Sequence, residues 1–112
     1  MSKALILIVD DEPINLRLLS EALKSDYDLI AATSGDQVLM QLEKQHDRID
    51  LILLDVNMPG MSGMEVLDRI KDHEQWSDIP VIFVTAMNQE GDEASGLERG
   101  AVDYITKPIS AP

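Results

Sequence analysis

Five short apolar runs alternate along the chain with longer segments in which apolar residues recur every three or four positions. Consecutive apolar residues are typical of strands buried on both faces, and the longer spacing is typical of amphipathic helices. Strands that alternate with helices form βαβ units, and hence a parallel sheet with helices on both faces. The five predicted strands cover residues 4–9, 29–32, 51–55, 80–84 and 101–105.

The helical segments carry recognisable start and stop signals. Pro13 suits the first turn of the first helix, and Ser34–Gln37 and Ser62–Glu65 have the composition of capping boxes. The segment 89–99 has internal glycines before the stop at Gly100, so we expect it to be the least stable helix. The predicted core-facing residues are Ile14, Leu18, Leu19, Ala22 and Leu23 in the first helix; Val38, Leu39 and Leu42 in the second; and Met64, Val66, Leu67 and Ile70 in the third.

The connections restrict the topology to a few possibilities. Crossovers between parallel strands are right-handed, and the natural arrangement for five strands is the flavodoxin-like order 2-1-3-4-5. The chain has 112 residues and contains no repeat or internal linker. We therefore predict a single doubly wound α/β domain over residues 1–112.

Composition narrows the range of partners. The net charge of −12 argues against direct binding to nucleic acid or an anionic membrane, although such a charge also serves solubility. The chain contains no cysteine, which excludes disulfides and thiolate metal sites and suits a reducing cytoplasm. The longest apolar run is far shorter than the ~20 residues that span a membrane.

Polar residues follow four of the predicted strands: Asp10 and Asp11, Asp55, Thr85, and Lys107. Each has an ordinary structural explanation alone, such as a loop-capping acid or a surface charge. The carboxyl ends of parallel strands meet at one edge of the sheet, where ligands bind. Three carboxylates about 4 Å apart would repel by roughly 4 kcal/mol per pair at an effective dielectric constant of 20. A cation is needed, and oxygen ligands with open positions suit Mg²⁺.

Four motifs together indicate a family. They are Val9–Pro13 (VDDEP), Leu53–Gly60 (LLDVNMPG), Val84–Ala86 (VTA) and Tyr104–Pro108 (YITKP). In this order they resemble the receiver domain of two-component response regulators. The resemblance implies that Asp55 accepts a phosphoryl group from a phosphohistidine on a sensor histidine kinase or phosphotransfer protein.

The resemblance also implies roles for the other residues. Asp11 and Asp55 would bind Mg²⁺ directly with the backbone carbonyl of Asn57, and Asp10 would act through water. Thr85 and Lys107 would bind phosphoryl oxygens, and Tyr104 would change rotamer on activation. The surface of the fourth helix and fifth strand would then control an output domain or protein. A cis peptide bond is implied between Lys107 and Pro108.

Two other functions compete with this interpretation. A haloacid-dehalogenase-like phosphatase also has an aspartate nucleophile after an apolar strand, with Mg²⁺. That family normally has a second aspartate two residues later, where this chain has Asn57, which cannot donate a proton as a general acid. A degenerate receiver that only binds partners is disfavoured because the five key side chains are all present. We expect no enzymatic activity beyond the chain's own phosphoryl transfer and autodephosphorylation.

The last residues, Ser110–Pro112, have the composition of a helix start. Receiver domains normally carry a fifth helix beside the first. We therefore expect a receiver truncated before its C-terminal helix, with apolar residues of the first and fifth strands uncovered. Such a form is expected to self-associate through that face, or to be less stable than a longer form.

Overall fold

Five parallel strands form one sheet in a computed structural model that describes residues 3–86 and 97–107, except for the side chains of residues 85, 86, 106 and 107. Their order confirms the predicted flavodoxin-like topology: β2-β1-β3-β4-β5. The strands are β1 (Leu5–Val9), β2 (Asp28–Ala32), β3 (Leu51–Asp55), β4 (Val81–Ala86) and β5 (Asp103–Lys107). β2 lies at an edge, as its weaker apolar run predicts.

The central strands β1 and β3 are covered on both faces. One face packs against α2 (Gly35–Gln45) and α3 (Gly63–Asp72), and the other packs against α1 (Pro13–Leu23). A short 3₁₀ helix, His46–Arg48, follows α2. Leu7, Ile52 and Leu54 are fully buried on the first face. Consecutive apolar residues therefore serve both faces of the sheet, as the sequence predicts.

Serine side chains cap α2 and α3 at their amino ends. Ser34 Oγ accepts a hydrogen bond from Gln37 N, and Ser62 Oγ accepts one from Glu65 N, each at 3.2 Å. The Gln37 side chain reaches back past the cap of α2, where its Oε1 accepts a hydrogen bond from the backbone N of Thr33, the residue before Ser34, at 2.8 Å. The predicted inner faces of both helices are confirmed, with Leu39 and Met64 half-buried and the other predicted residues buried.

The predicted inner face of α1 is wrong in part. Ile14 is 66% exposed, and Leu18 and Ala22 are only half-buried. Leu19 is buried and packs with Leu16 and Leu23 against the sheet. Leu16 lies two residues after Ile14, about 200° further around the helix axis, so the two side chains cannot face the sheet together. The predicted inner face thus combines residues from opposite sides of the helix.

Only β3 has the predicted bounds, and the larger differences from the predictions lie in β4 and β5. β4 continues through Thr85 to Ala86, and β5 begins two residues later than predicted. The chain turns at Gly100, which has a φ of 116°, and pairing along β5 starts with Asp103 opposite Ile82. Ala101 is buried before the strand, so its apolar character reflects packing and not strand pairing.

Some predictions fall outside the described residues. They concern most of the helix predicted at 89–99, the Lys107–Pro108 peptide bond and the helix start at 110–112. Among the helices that the structure describes, none is long and apolar enough to cross a membrane.

Candidate functional site

Asp10 and Asp55 are brought together by the pairing of β1 with β3. Val9 lies opposite Leu54, so the next residue on each strand is an aspartate. The backbone N of Asp10 donates to the carbonyl oxygen of Ala32 at 3.1 Å, which extends the pairing with β2 past the end of β1. Asp11 follows at once. The parallel sheet thus places three carboxylates at its carboxyl end.

The three carboxylates form a compact cluster. One oxygen from each of Asp10, Asp11 and Asp55 lies within 4.8 Å of the other two. Asp10 is 1% exposed and Asp55 4%, whereas Asp11 is half-buried and leaves the cluster open toward solvent. No second group of this kind occurs in the part of the chain that the structure describes.

Local hydrogen bonds orient the two buried carboxylates. Asp10 Oδ1 accepts from the backbone N of Glu12 at 2.9 Å, and Asp55 Oδ1 accepts from the backbone N of Asn57 at 3.3 Å. Both are turns in which an aspartate binds the backbone two residues later. The aspartates therefore do have the loop-capping role considered from the sequence, in addition to clustering.

The donor set fits a hard divalent cation. Three carboxylates supply oxygen ligands and negative charge, and the open side near Asp11 leaves space for water or phosphate oxygens. Mg²⁺ is bound in this manner, by one or two carboxylates together with waters and phosphates. The acidic cluster of Asp10, Asp11 and Asp55 can accordingly hold Mg²⁺.

The other predicted site residues lie on the neighbouring strands. Val84 is opposite Asp55, so the backbone of Thr85 is one residue beyond it, and Thr85 is in turn opposite Thr106. Lys107 is the last residue of β5. The side chains of Thr85 and Lys107 are outside the described set, so their predicted roles stay predictions. Tyr104 is on β5 and is 38% exposed.

Sequence reasoning missed Gly63. A Cβ at this position would overlap the carbonyl oxygen of Asp55. In the sequence, Gly63 is simply the residue that follows a helix cap, and no local pattern distinguishes it from other glycines.

Comparison with known proteins identifies the family. The profile of the response regulator receiver domain matches residues 6–112. The chain belongs to this family. The family assignment predicted from the four motifs is thus confirmed. This assignment decides against the haloacid-dehalogenase-like alternative.

The matches to curated relatives extend along nearly the whole chain. The chain is 46% identical over 112 residues to a Vibrio cholerae protein named "Probable cyclic di-GMP phosphodiesterase", covering 100% of this chain and 25% of that protein. It is 40% identical over 108 residues to the polar-differentiation response regulator DivK of Brucella ovis, covering 96% of this chain and 86% of DivK. The chain thus spans about a quarter of the length of the first relative and most of the length of the second.

Solved structures agree with the fold. The chemotaxis protein CheY4 of Vibrio cholerae has a TM-score of 0.88 and 28% identity, covering 97% of this chain and 90% of CheY4. The Mn²⁺-bound form of the response regulator Rcp1 has a TM-score of 0.84 and 34% identity, covering 96% of this chain and 83% of Rcp1. CheY in the CheX–CheY–BeF3–Mg²⁺ complex of Borrelia burgdorferi has a TM-score of 0.89 and 27% identity, with coverages of 97% and 81%.

Proposed function

We propose that this receiver domain is a phosphorylation-dependent switch in which Asp55 accepts a phosphoryl group from a sensor histidine kinase or phosphotransfer protein. The single observation that carries the proposal is the clustering of Asp55 with Asp10 and Asp11 at the carboxyl end of the sheet. Asp55 is the member of the cluster on the central strand β3, with β1 on one side and β4 on the other.

The reaction is a phosphoryl transfer between two nucleophiles. A carboxylate oxygen of Asp55 forms a bond to phosphorus while the bond between phosphorus and the imidazole nitrogen of the donor breaks. The imidazole leaves with the bonding electron pair, and the product is an aspartyl phosphate. Little covalent work remains for the protein, so alignment and neutralisation of charge provide the catalysis.

Mg²⁺ is the cofactor that we propose for this step. Asp11, Asp55 and the backbone carbonyl of Asn57 would hold it directly, with Asp10 acting through water. When bound, the ion would neutralise charge on the phosphoryl oxygens. Support comes from the oxygen donors of the acidic cluster and from relatives described with Mn²⁺ or with BeF3 and Mg²⁺.

Thr85, Lys107 and Tyr104 complete the proposed switch. The Lys107 ammonium and the Thr85 hydroxyl would bind phosphoryl oxygens, which supply strong hydrogen-bond acceptors. Movement of Thr85 would make space for Tyr104, and the change would reach the surface of the fourth helix and fifth strand. The pairing of β4 with β5, which places Thr85 opposite Thr106 and Phe83 opposite Tyr104, supports this coupling.

The output controlled by the switch is an attached domain or a separate protein in the cytoplasm. The Vibrio cholerae relative is named for a phosphodiesterase activity and is much longer than this chain, whereas this chain covers 86% of DivK. Both arrangements are compatible with a receiver that itself performs only phosphoryl transfer and autodephosphorylation.

Incubation with Mg²⁺ and a small acyl phosphate, followed by intact mass measurement, tests the proposal. We expect a mass gain of one phosphoryl group that requires Mg²⁺ and is lost in Asp55→Asn. Absence of any gain in the wild-type chain would favour a degenerate receiver. Release of phosphate that persists in Asp55→Asn would contradict the proposal, because it would not depend on the proposed acceptor.

A further inference from the structure

The connection between β3 and α3 folds back, so that its end lies against the carboxyl end of β3. It comprises residues 56–62, and the backbone N of Gly63, the first residue of α3, donates to the carbonyl oxygen of Val56 at 2.8 Å. Helix α3 therefore begins directly against the backbone that carries Asp55.

Gly63 has no room for a side chain. A Cβ there would overlap the carbonyl oxygen of Asp55 and would lie 2.8 Å from Val56 Cα and 2.9 Å from the carbonyl carbon of Asp55. These neighbours are backbone atoms, which cannot rotate away as the end of a side chain can. A larger residue would have to displace α3 from β3 or move the Asp55–Val56 peptide.

Gly60, in the same connection, requires a particular backbone conformation, whereas Gly63 requires space. The φ of Gly60 is 77°, but a Cβ there would meet nothing within 4 Å. Among the described glycines, only Gly60 and Gly100 have a positive φ. Gly60 is therefore needed for its backbone conformation and Gly63 for space, so the two residues provide a matched pair for experiment.

A second close contact restrains the connection from the side of α2. A Cβ at Gly35, the first residue of α2, would lie 2.9 Å from both Cβ and Sδ of Met61. Met61 belongs to the connection, so the amino end of α2 lies close against it.

We propose that Gly63 is a positioning residue for phosphoryl transfer, because it lets α3 lie against the Asp55 backbone and so fixes the Asp55 carboxylate relative to Asp10 and Asp11. Gly35 restrains the same connection through Met61. The inference rests on the proposed function. A displaced Asp55 peptide also moves the backbone N of Asn57, which donates to Asp55 Oδ1. Catalytic and metal-binding groups must be held to within about 0.5 Å, so such a displacement weakens both functions.

The test compares three variants with the wild-type chain at a temperature at which all are folded. Gly63→Ala introduces the overlap, and Gly60→Asn adds a side chain that tolerates positive φ where space exists. Ile70→Ala destabilises the core of α3 away from the site. We measure the melting temperature in EDTA, Mg²⁺ affinity by titration, and the initial rate of phosphoryl uptake from a small acyl phosphate.

Gly63→Ala is expected to weaken Mg²⁺ binding and to slow uptake by between about 10- and 100-fold, the cost of misplacing reacting groups by up to 1 Å. Gly60→Asn and Ile70→Ala should retain nearly wild-type Mg²⁺ affinity and rate, although Ile70→Ala melts lower. Wild-type Mg²⁺ affinity in Gly63→Ala would overturn the inference. An equal loss of affinity in Ile70→Ala would overturn it too, because it would attribute the effect to stability.

Gly35→Ala provides the second route if Gly63→Ala does not fold. It presses on Met61 and on Val66 of α3, whose Cγ2 would lie 3.0 Å from the new Cβ, and should weaken Mg²⁺ binding by a smaller factor, whereas unchanged affinity would overturn the inference. A wild-type chain that takes up no phosphoryl group would defeat the proposed function, while the Mg²⁺ titrations would still decide the role of Gly63.

Discussion

Asp10 and Asp55 are adjacent carboxylates at the ends of neighbouring strands, and both are almost completely buried. Ionised carboxylates in such a cluster, which Asp11 completes, repel one another, and a bound cation would relieve that repulsion. A divalent cation bound at this cluster is therefore expected to stabilise the folded domain.

Asp55→Asn tests both the acceptor role of Asp55 and the effect of its charge on stability. The variant should take up no phosphoryl group, because an amide is not a nucleophile of this kind, and should keep the fold because the side chains have nearly the same shape. In Mg²⁺-free buffer it should be more stable by on the order of 1 kcal/mol, since one charge leaves the cluster. Intact mass and thermal melts check both results, with the exposed Asp78→Asn as the control. Phosphoryl uptake at the wild-type rate would refute the assignment of Asp55.

Mg²⁺ should raise the melting temperature of the wild-type chain, because it binds the folded acidic cluster and not the unfolded chain. At a concentration 100 times the dissociation constant the gain is about 2.7 kcal/mol. Asp11→Asn should reduce the gain by removing one ligand. Sodium chloride at the same ionic strength separates binding from charge screening. A melting temperature insensitive to Mg²⁺ would contradict the clustered-carboxylate site.

Tyr104 should become less accessible when the domain is phosphorylated, as expected if it moves into space vacated by Thr85. The chain contains only one other tyrosine, Tyr27, which has nearly the same exposure, 37% against 38%. Hydroxyl-radical footprinting with and without the acyl phosphate measures both side chains in one sample. A selective decrease at Tyr104 is the expected result. An equal change at both tyrosines, or none, would count against the proposed switch.

Strand positions and the acidic cluster could be predicted because each depends on a short local signal. An apolar run marks a buried strand, and parallel pairing brings the aspartates after β1 and β3 together. The inner face of α1 could not be predicted, because Leu16, Leu18 and Leu19 offer apolar residues on opposite sides of the helix. In the structure, Leu16 and Leu19 are the residues of this group that pack against the sheet.

Other errors have a different physical origin. Ala101 and Val102 are apolar, so the pattern alone cannot show that pairing along β5 begins at Asp103. The close approach of Gly63 to Asp55 depends on how the connection folds back, which leaves no periodic signal. Contacts of this type are visible only after the strand, the connection and the helix are packed together.

The serine caps should contribute to stability independently of the metal. Ser34→Ala and Ser62→Ala each remove the hydrogen bond to a backbone N–H in the first turn of a helix. Each should cost about 1 kcal/mol. Ser25→Ala, at an exposed position between α1 and β2, should be close to neutral. Denaturant unfolding measures the differences, and a neutral Ser34→Ala would show that Gln37 and Thr33 maintain the cap without it.

The last prediction concerns an apolar groove of about 420 Å³ on the α1 side of the sheet. Ile6, Leu53, Ile82 and Ile105 line it, together with Leu23 of α1. Among the described residues that line it, Asp50 is the one that is charged, on a chain with a net charge of −12, so two copies would meet here with less repulsion than at the acidic surface. Ile105 is 43% exposed at the groove. An exposed apolar surface of this kind marks an interaction site or an aggregation risk.

We therefore expect the 112-residue chain to self-associate as its concentration rises, through the groove. Ile105→Lys should suppress the association by placing an ammonium group at the groove. Val102→Lys is the matched control, because Val102 is 59% exposed but does not line the groove. Light scattering over a concentration series distinguishes the three chains. A wild-type chain that stays monomeric throughout, or equal suppression by both lysine substitutions, would show that the groove is not the contact surface.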